Sequence, residues 1–196
     1  MFIREEDFLK NQDTRVQMTK RLLKDALLEI LKTKPISAVT VRELCDGAGI
    51  NRGTFYLHYA TPLDLLRDIE SDILDDNFVA FEDFMKDDYD RSYLSSLIGN
   101  LWSFRETFCI LLGPNGDPSF LSSLKDRVRE RTVSEWNTEF PEYKREHLDF
   151  LFDYVFPGFT GLMLSWFEKG TISAEEFTRR MERLGHYALL SVSEFR

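Results

Sequence analysis

The sequence predicts an all-α protein: an amino-terminal three-helix head joined to a larger carboxy-terminal helical domain. Three observations carry this. Apolar residues recur at three- and four-residue spacing along most of the chain, as one face of a 3.6-residue helix requires. The gaps carry helix-stop residues (Pro35, Gly49, Pro141, Gly170) and helix-start pairs (Thr40 with Glu43, Ser173 with Glu176). One gap, Gly49-Ile50-Asn51, is a tight turn between two short helical segments.

The bulk numbers agree with a folded globular chain. It has 196 residues, 43% hydrophobic and 30% charged. No apolar run near 18 residues is evident, so no membrane span is expected. The first stretch, MFIREEDFLKNQD, is acidic and lacks the apolar core of a signal peptide, so a cytoplasmic location is expected. Cys45 and Cys109 sit in apolar helical patterns and read as buried reduced thiols.

Residues 1–13 are expected to be a flexible extension. The first helix is expected over 14–32, with Leu23, Ala26, Leu27, Ile30 and Leu31 as its apolar stripe and Pro35 as its stop. The second starts at Thr40, whose spacing to Glu43 is that of a capping box, and ends at Gly49, where positive φ is needed. Asn51 is the N-cap of the third, which begins at Arg52. Phe55 and Tyr59 share the face to be buried, and Arg52, Tyr56 and His58 lie on or beside the outward side. Gly53 costs roughly 0.8–1 kcal/mol against alanine in a helix interior and less near an end. It is useful where a backbone must approach a phosphate or base edge. Two short helices in this order form a helix-turn-helix, whose second helix is the usual major-groove reader. The alternative is a helical hairpin with an arbitrary polar face.

Charge favours the first reading. The net charge is −9, but residues 14–60 hold eight Lys/Arg against four Asp/Glu. The basic surplus coincides with the helix-turn-helix, the footprint expected of a nucleic-acid binder.

Residues 40–59, T-V-x-E-L-C-x-x-A-G-I-N-R-G-T-F-Y-L-H-Y, resemble the DNA-binding signature of the TetR/AcrR family of bacterial transcriptional regulators. The resemblance runs from about residue 14 to 73. Farther on, G-F-T-G-L-M-L-S-W-F-E-K-G-T-I-S-A-E-E-F, residues 158–177, is similar to the carboxy-terminal domain of a TetR-like subgroup common in Gram-positive bacteria. The resemblance implies that a basic residue near the start of the first helix touches a phosphate, with Arg15 as the candidate. It also implies a lysine near the start of the fourth helix. Here the chain departs from the pattern, with Ala60 and Pro62 in that region and only Thr61 and the backbone N–H groups of the helix end to meet a phosphate.

The fourth helix is expected over 62–84, started by Thr61 as N-cap, Pro62 and Asp64. The acidic turn of Asp87, Asp88 and Asp90 lacks the glycine and distal glutamate of a calcium loop and reads as solvated. Helices then follow over about 92–112, from Asp117-Pro118 to 139, over 144–169 with a kink at Pro157, and over 173–193. Gly113-Pro114-Asn115-Gly116 is a loop without the pattern of a phosphate cradle.

The head is thus assigned to residues 14–60, extending into the connecting helix, and residues 61–196 to a helical dimerisation and effector domain. Expected base-edge contacts are Arg52, Thr54 and Leu57, with Arg52 suited to guanine. Thr40, Tyr56 and His58 are expected on phosphates. Arg42, Asn51, Gly53 and Thr61 complete the DNA-binding set. The resemblance further implies a homodimer through the last two helices (144–169 and 173–193). It also implies a small apolar or aromatic effector, for which Trp102, Phe108, Phe152, Phe156 and Phe159 are the candidates. No cofactor, metal ligand set or catalytic motif is read: G-x-S-x-G, H-E-x-x-H and a glycine-rich nucleotide loop are missing, and His58, His147 and His186 share no ligand spacing. The function expected is that of a sequence-specific transcriptional regulator, a repressor on a palindromic operator. The alternative is an all-helical dimeric interaction protein with a vestigial DNA-binding head, for which Pro62 is the local hint.

Overall fold

The computed structural model describes residues 5–84 and 92–192, with side chains described over 14–74 and 98–191. Among the described residues every regular element is helical. The order is α1 (Glu5–Leu31), a 3-10 turn (Ile36–Ala38), α2 (Val41–Ala48), α3 (Arg52–Tyr56), α4 (Pro62–Phe84), α5 (Ser92–Ser103), α6 (Arg105–Leu111), α7 (Phe120–Glu139), α8 (Arg145–Lys169) and α9 (Ala174–Val192). The acidic turn at 87–90 lies outside the described residues.

The chain divides into two compact units. The head comprises Met1–Ile73 together with Gly113–Asp117, and the second unit comprises Leu74–Leu112 and Pro118–Arg196. The division thus falls within α4, beyond residue 60, and the head includes a short piece of chain from the loop after α6.

In the head, the four-residue spacing of Leu23, Leu27 and Leu31 lays one face of α1 inward, all three at most 1% exposed. Leu44 and Cys45 of α2, Phe55 of α3, and Leu65, Leu66 and Ile69 of α4 close the same core. Gly49 ends α2 at φ 67, and the Ile50 N–H reaches back to the Cys45 carbonyl at 3.0 Å, as in a Schellman stop.

In the second unit, α7 and α8 pack through Val133, Leu148, Phe152 and Phe156, flanked by Leu124, Val128, Trp136 and Tyr143. Trp166 of α8 joins α5 and α9. Its ring lies 4.3 Å from Trp102 and 4.4 Å from Phe177, and its indole N–H donates to the Ile172 carbonyl at 2.8 Å. Arg129 of α7 binds Asp149 at 3.2 Å and also Asp153, which Lys125 meets at 2.6 Å.

The structure corrects several expectations. α1 begins at Glu5, nine residues before the start expected at 14. The helix expected over 92–112 breaks at Phe104, and the Arg105 guanidinium donates to the Trp102 carbonyl at 3.2 Å near that break. α7 starts at Phe120 rather than at Asp117-Pro118, and Pro118 lies in a turn before it. The helix expected over 144–169 is α8, with Pro157 inside it, and the Thr160 hydroxyl donates to the Phe156 and Pro157 carbonyls. By length and composition α8 is also apolar enough to cross a membrane, which the count of apolar runs did not register. Here it is a core helix: Leu148, Leu151, Phe152, Met163, Trp166 and Phe167 are all buried in the second unit.

Candidate nucleic-acid interface

The short α3 projects its polar residues because its one large apolar residue points the other way. Phe55 is fully buried, while Tyr56 is 59% and Leu57 79% exposed. Arg52 and Gly53 are exposed, and Thr54 and His58 half-buried. Asn51 caps the helix: its side-chain oxygen accepts from the Thr54 N–H at 2.8 Å and from the Thr54 hydroxyl at 3.1 Å. Gly53 faces that cap closely, since a Cβ there would lie 3.2 Å from Asn51 Oδ1. Glycine therefore fits the cap as well as leaving the backbone bare.

α2 is held by the complete capping box. The Glu43 N–H donates to Thr40 Oγ1 at 3.3 Å, and the Thr40 N–H and hydroxyl donate to Glu43 Oε2 at 3.0 and 2.7 Å. Lys34 adds an ammonium at 2.7 Å. The Lys34 hydrogen bond, followed by those from Thr40, lowers the Glu43 pKa to about 2. The pH consequence has a definite sign. A carboxylate with a lowered folded-state pKa stabilises the fold above its ordinary value of 4.5 and loses that contribution as pH falls through about 2. NMR titration should therefore place the Glu43 midpoint near 2, and Lys34→Met should move it upward; a midpoint near 4.5 would mean that the box does not form in solution.

α4 starts in the same way. The Thr61 N–H and hydroxyl donate to Asp64 Oδ2 at 2.8 and 2.9 Å, and the Asp64 N–H donates to Thr61 Oγ1 at 3.2 Å. The Asp64 carboxylate thus puts a negative charge at the end of this helix where anions are favoured. Thr61, expected on a phosphate, has given its donors to Asp64, and the Thr40 hydroxyl proton is likewise given to Glu43.

The basic surplus of the head is also partly spent internally. Lys24 of α1 binds Asp68 at 2.8 Å and Asp72 at 2.5 Å, and Lys20 lies 3.7 Å from Asp68. The Tyr59 hydroxyl donates to Asp68 at 2.7 Å. Burial works to raise the Asp68 pKa, but the bonds from Lys24 and Tyr59 outweigh it and lower it. Tyr59 is pushed up, by burial first and then by its bond to Asp68. This cluster ties α1, the end of the α3 segment and α4 into one body. Arg42 lies 3.6 Å from Asp46 on an exposed face, a pair of little energetic weight. Among the described residues Arg15 and Arg52 form no ion pair, and both are exposed.

The effector candidates lie in the packed second unit. Phe152 and Phe156 stack at 5.4 Å within the α7–α8 core, whereas Trp102 and Phe108 lie beside Phe167 at 6.0 and 6.3 Å. Phe159 is half-buried.

Residues 23–69 match the bacterial regulatory proteins of the tetR family, and residues 91–187 match a transcriptional regulator C-terminal region. The chain belongs to the TetR family. It is a DNA-binding helix-turn-helix transcriptional regulator. An uncharacterized HTH-type transcriptional regulator, YxbF of Bacillus subtilis (strain 168), is 33% identical over 51 residues, which cover 26% of this chain and only 13% of that protein. The fold matches a TetR transcriptional regulator from Streptococcus agalactiae 2603V with a TM-score of 0.65 at 21% identity, over 90% of this chain and 98% of that one. It matches a TetR-like regulator from Rhodococcus sp. RHA1 with a TM-score of 0.67 at 13% identity, over 88% and 96%. Within this TetR head, Asp68 and Lys34 are residues that sequence reasoning missed. The Thr61-x-x-Asp64 spacing marked a helix start, but its effect on phosphate access needs the bond geometry. The Lys24–Asp68 pair, 44 positions apart, left no local signal.

Proposed function

We propose that this protein is a repressor that binds a palindromic operator as a homodimer and is released by a small apolar or aromatic effector, within the cytoplasm. The observation that carries the operator reading is Arg52: exposed, outside any ion pair among the described residues, and at the first position of a helix whose other outward groups are Thr54, Tyr56 and Leu57. Arg52 reads guanine, Thr54 and Leu57 meet neighbouring base edges, and Tyr56, His58, Arg42 and Arg15 hold phosphates. Thr40 and Asn51 fix the helix starts, and Gly53 keeps the backbone close. The test is Arg52→Ala on the preferred duplex. It should cost about 1–3 kcal/mol and relax preference at one base position. Unchanged affinity and preference would remove Arg52 from the readout.

Dimerisation is supported by an exposed apolar face among the described residues. Tyr154 and Leu162 of α8 and Leu184, Tyr187 and Leu190 of α9 are 46–73% exposed. Gly158 and Gly161 stand on the same stripe of α8 with open space where a Cβ would sit. Repressor and homodimer are typical of the family. A two-fold dimer would place its reading helices in grooves one turn apart, about 34–36 Å. The effector would act by changing the separation or tilt of the two heads through α4, and equal operator affinity with and without a proven effector would contradict this.

The Asp64 cap carries its own prediction. Asp64→Asn removes the charge competing with phosphate, so duplex affinity should rise and its log–log salt slope should steepen by up to about 0.9, the value of one phosphate contact. Fluorescence anisotropy at several salt concentrations measures both; an unchanged slope would place the α4 start away from the backbone.

A further inference from the structure

The piece of chain between α6 and α7, Gly113–Asp117, belongs to the head. Asn115 uses both of its polar ends there. Its side-chain amide donates to the Leu31 carbonyl at 2.9 Å, and its backbone carbonyl accepts the Ile36 N–H at 2.9 Å. Leu31 is the last residue of α1, where helical carbonyls lack intrahelical partners. Ile36 opens the 3-10 turn that leads into α2. One residue 84 positions downstream of Leu31 therefore closes the link that aims α2, and with it α3. Beside this loop, Glu70 of α4 is buried, and its Oε1 has no hydrogen-bond partner among the described residues.

We propose that Asn115 is a positioning residue for DNA reading, and that the grip of the Gly113–Asp117 loop on the head weakens when Glu70 loses its proton. This rests on the operator-binding reading and deepens it. The loop joins α6 to α7, so any rearrangement of those helices has a covalent route to the α1–α2 link. Burial, then the nearby Asp117, raises the Glu70 pKa to about 7, against an opposing pull from Arg67. Lys20 and Lys24 of α1 are held by Asp68 and Asp72. An acid raised in the folded state favours that state fully below its ordinary pKa of 4.5 and loses the advantage as pH rises to about 7. The docked loop should therefore loosen across that window.

The experiment follows the Ile36 amide by hydrogen exchange, corrected for intrinsic rates, together with binding to the selected duplex. Asn115→Ala should lower Ile36 protection and weaken duplex binding, each by about tenfold, the scale of one net hydrogen bond. Asn115→Asp, which sets a carboxylate against the Leu31 carbonyl, should do at least as much. In the unaltered protein Ile36 protection should fall between pH 5 and 8, and Glu70→Gln should remove that dependence. Ile36 protection lost with duplex affinity unchanged would overturn the positioning role while leaving the operator reading intact. The same pH dependence in Glu70→Gln would overturn the proton's part. An unaltered protein that binds no duplex while its Ile36 amide is protected would instead sink the operator reading on which the proposal rests.

Discussion

Phe55→Ala should destabilise the head by about 3–5 kcal/mol, whereas Tyr56→Ala, one residue on, should change stability by no more than about 0.5 kcal/mol. The contrast follows from exposure alone: Phe55 is fully buried and Tyr56 is 59% exposed. Phe55 also lies edge-on to Tyr56 at 5.5 Å and packs against Tyr59 at 5.9 Å, so truncation removes ring contacts as well as area. Denaturant melts should separate the two variants. Duplex binding should be lost in both, for different reasons: in the first because α3 has no floor, in the second because a contact to the backbone is gone. A Phe55→Ala protein as stable as the original would mean that the head core is built otherwise.

The paired change Leu184→Glu with Tyr187→Glu should convert the proposed dimer to monomers. Each residue is more than half exposed in the protomer, so the fold should lose little. Across a two-fold interface each substitution is made twice, and interface centres of this type carry at least about 2 kcal/mol per anchor. Self-association should weaken by on the order of 100-fold or more, and operator affinity should fall with it. Sedimentation at micromolar protein measures the first. A species that remains dimeric would move the interface off the α8–α9 face.

Much of this molecule was legible in its sequence because its signals are local. Thr40 with Glu43, Gly49 and Asn51 each act within a few residues, and all three stand in the structure as the spacing requires. Burial of Phe55 and Tyr59 against exposure of Arg52, Tyr56 and Leu57 likewise follows from helical phase. What the sequence did not reveal depends on partners far along the chain. The Lys24–Asp68–Tyr59 cluster, the Leu31–Asn115 bond and the burial of Glu70 beside Asp117 have no periodicity to betray them. The break at Phe104 was hidden for a related reason: the apolar spacing continues through it, and the turn leaves no Gly or Pro mark. The packing of the aromatic residues named as effector candidates was likewise not readable from composition. Phe152 and Phe156 fill the α7–α8 core, while Trp102 and Phe108 lie by Phe167.

The central claim, that this head reads a two-fold operator through α3, is tested most directly by selecting random duplex DNA with the purified full-length protein at two salt concentrations. Arg52→Ala combined with Tyr56→Ala serves as the control. The account predicts enrichment of an inverted repeat whose half-sites lie about one helical turn apart, and loss of that enrichment in the double variant. A folded dimer that enriches no sequence at either salt, or that enriches the same repeat without Arg52 and Tyr56, would contradict it.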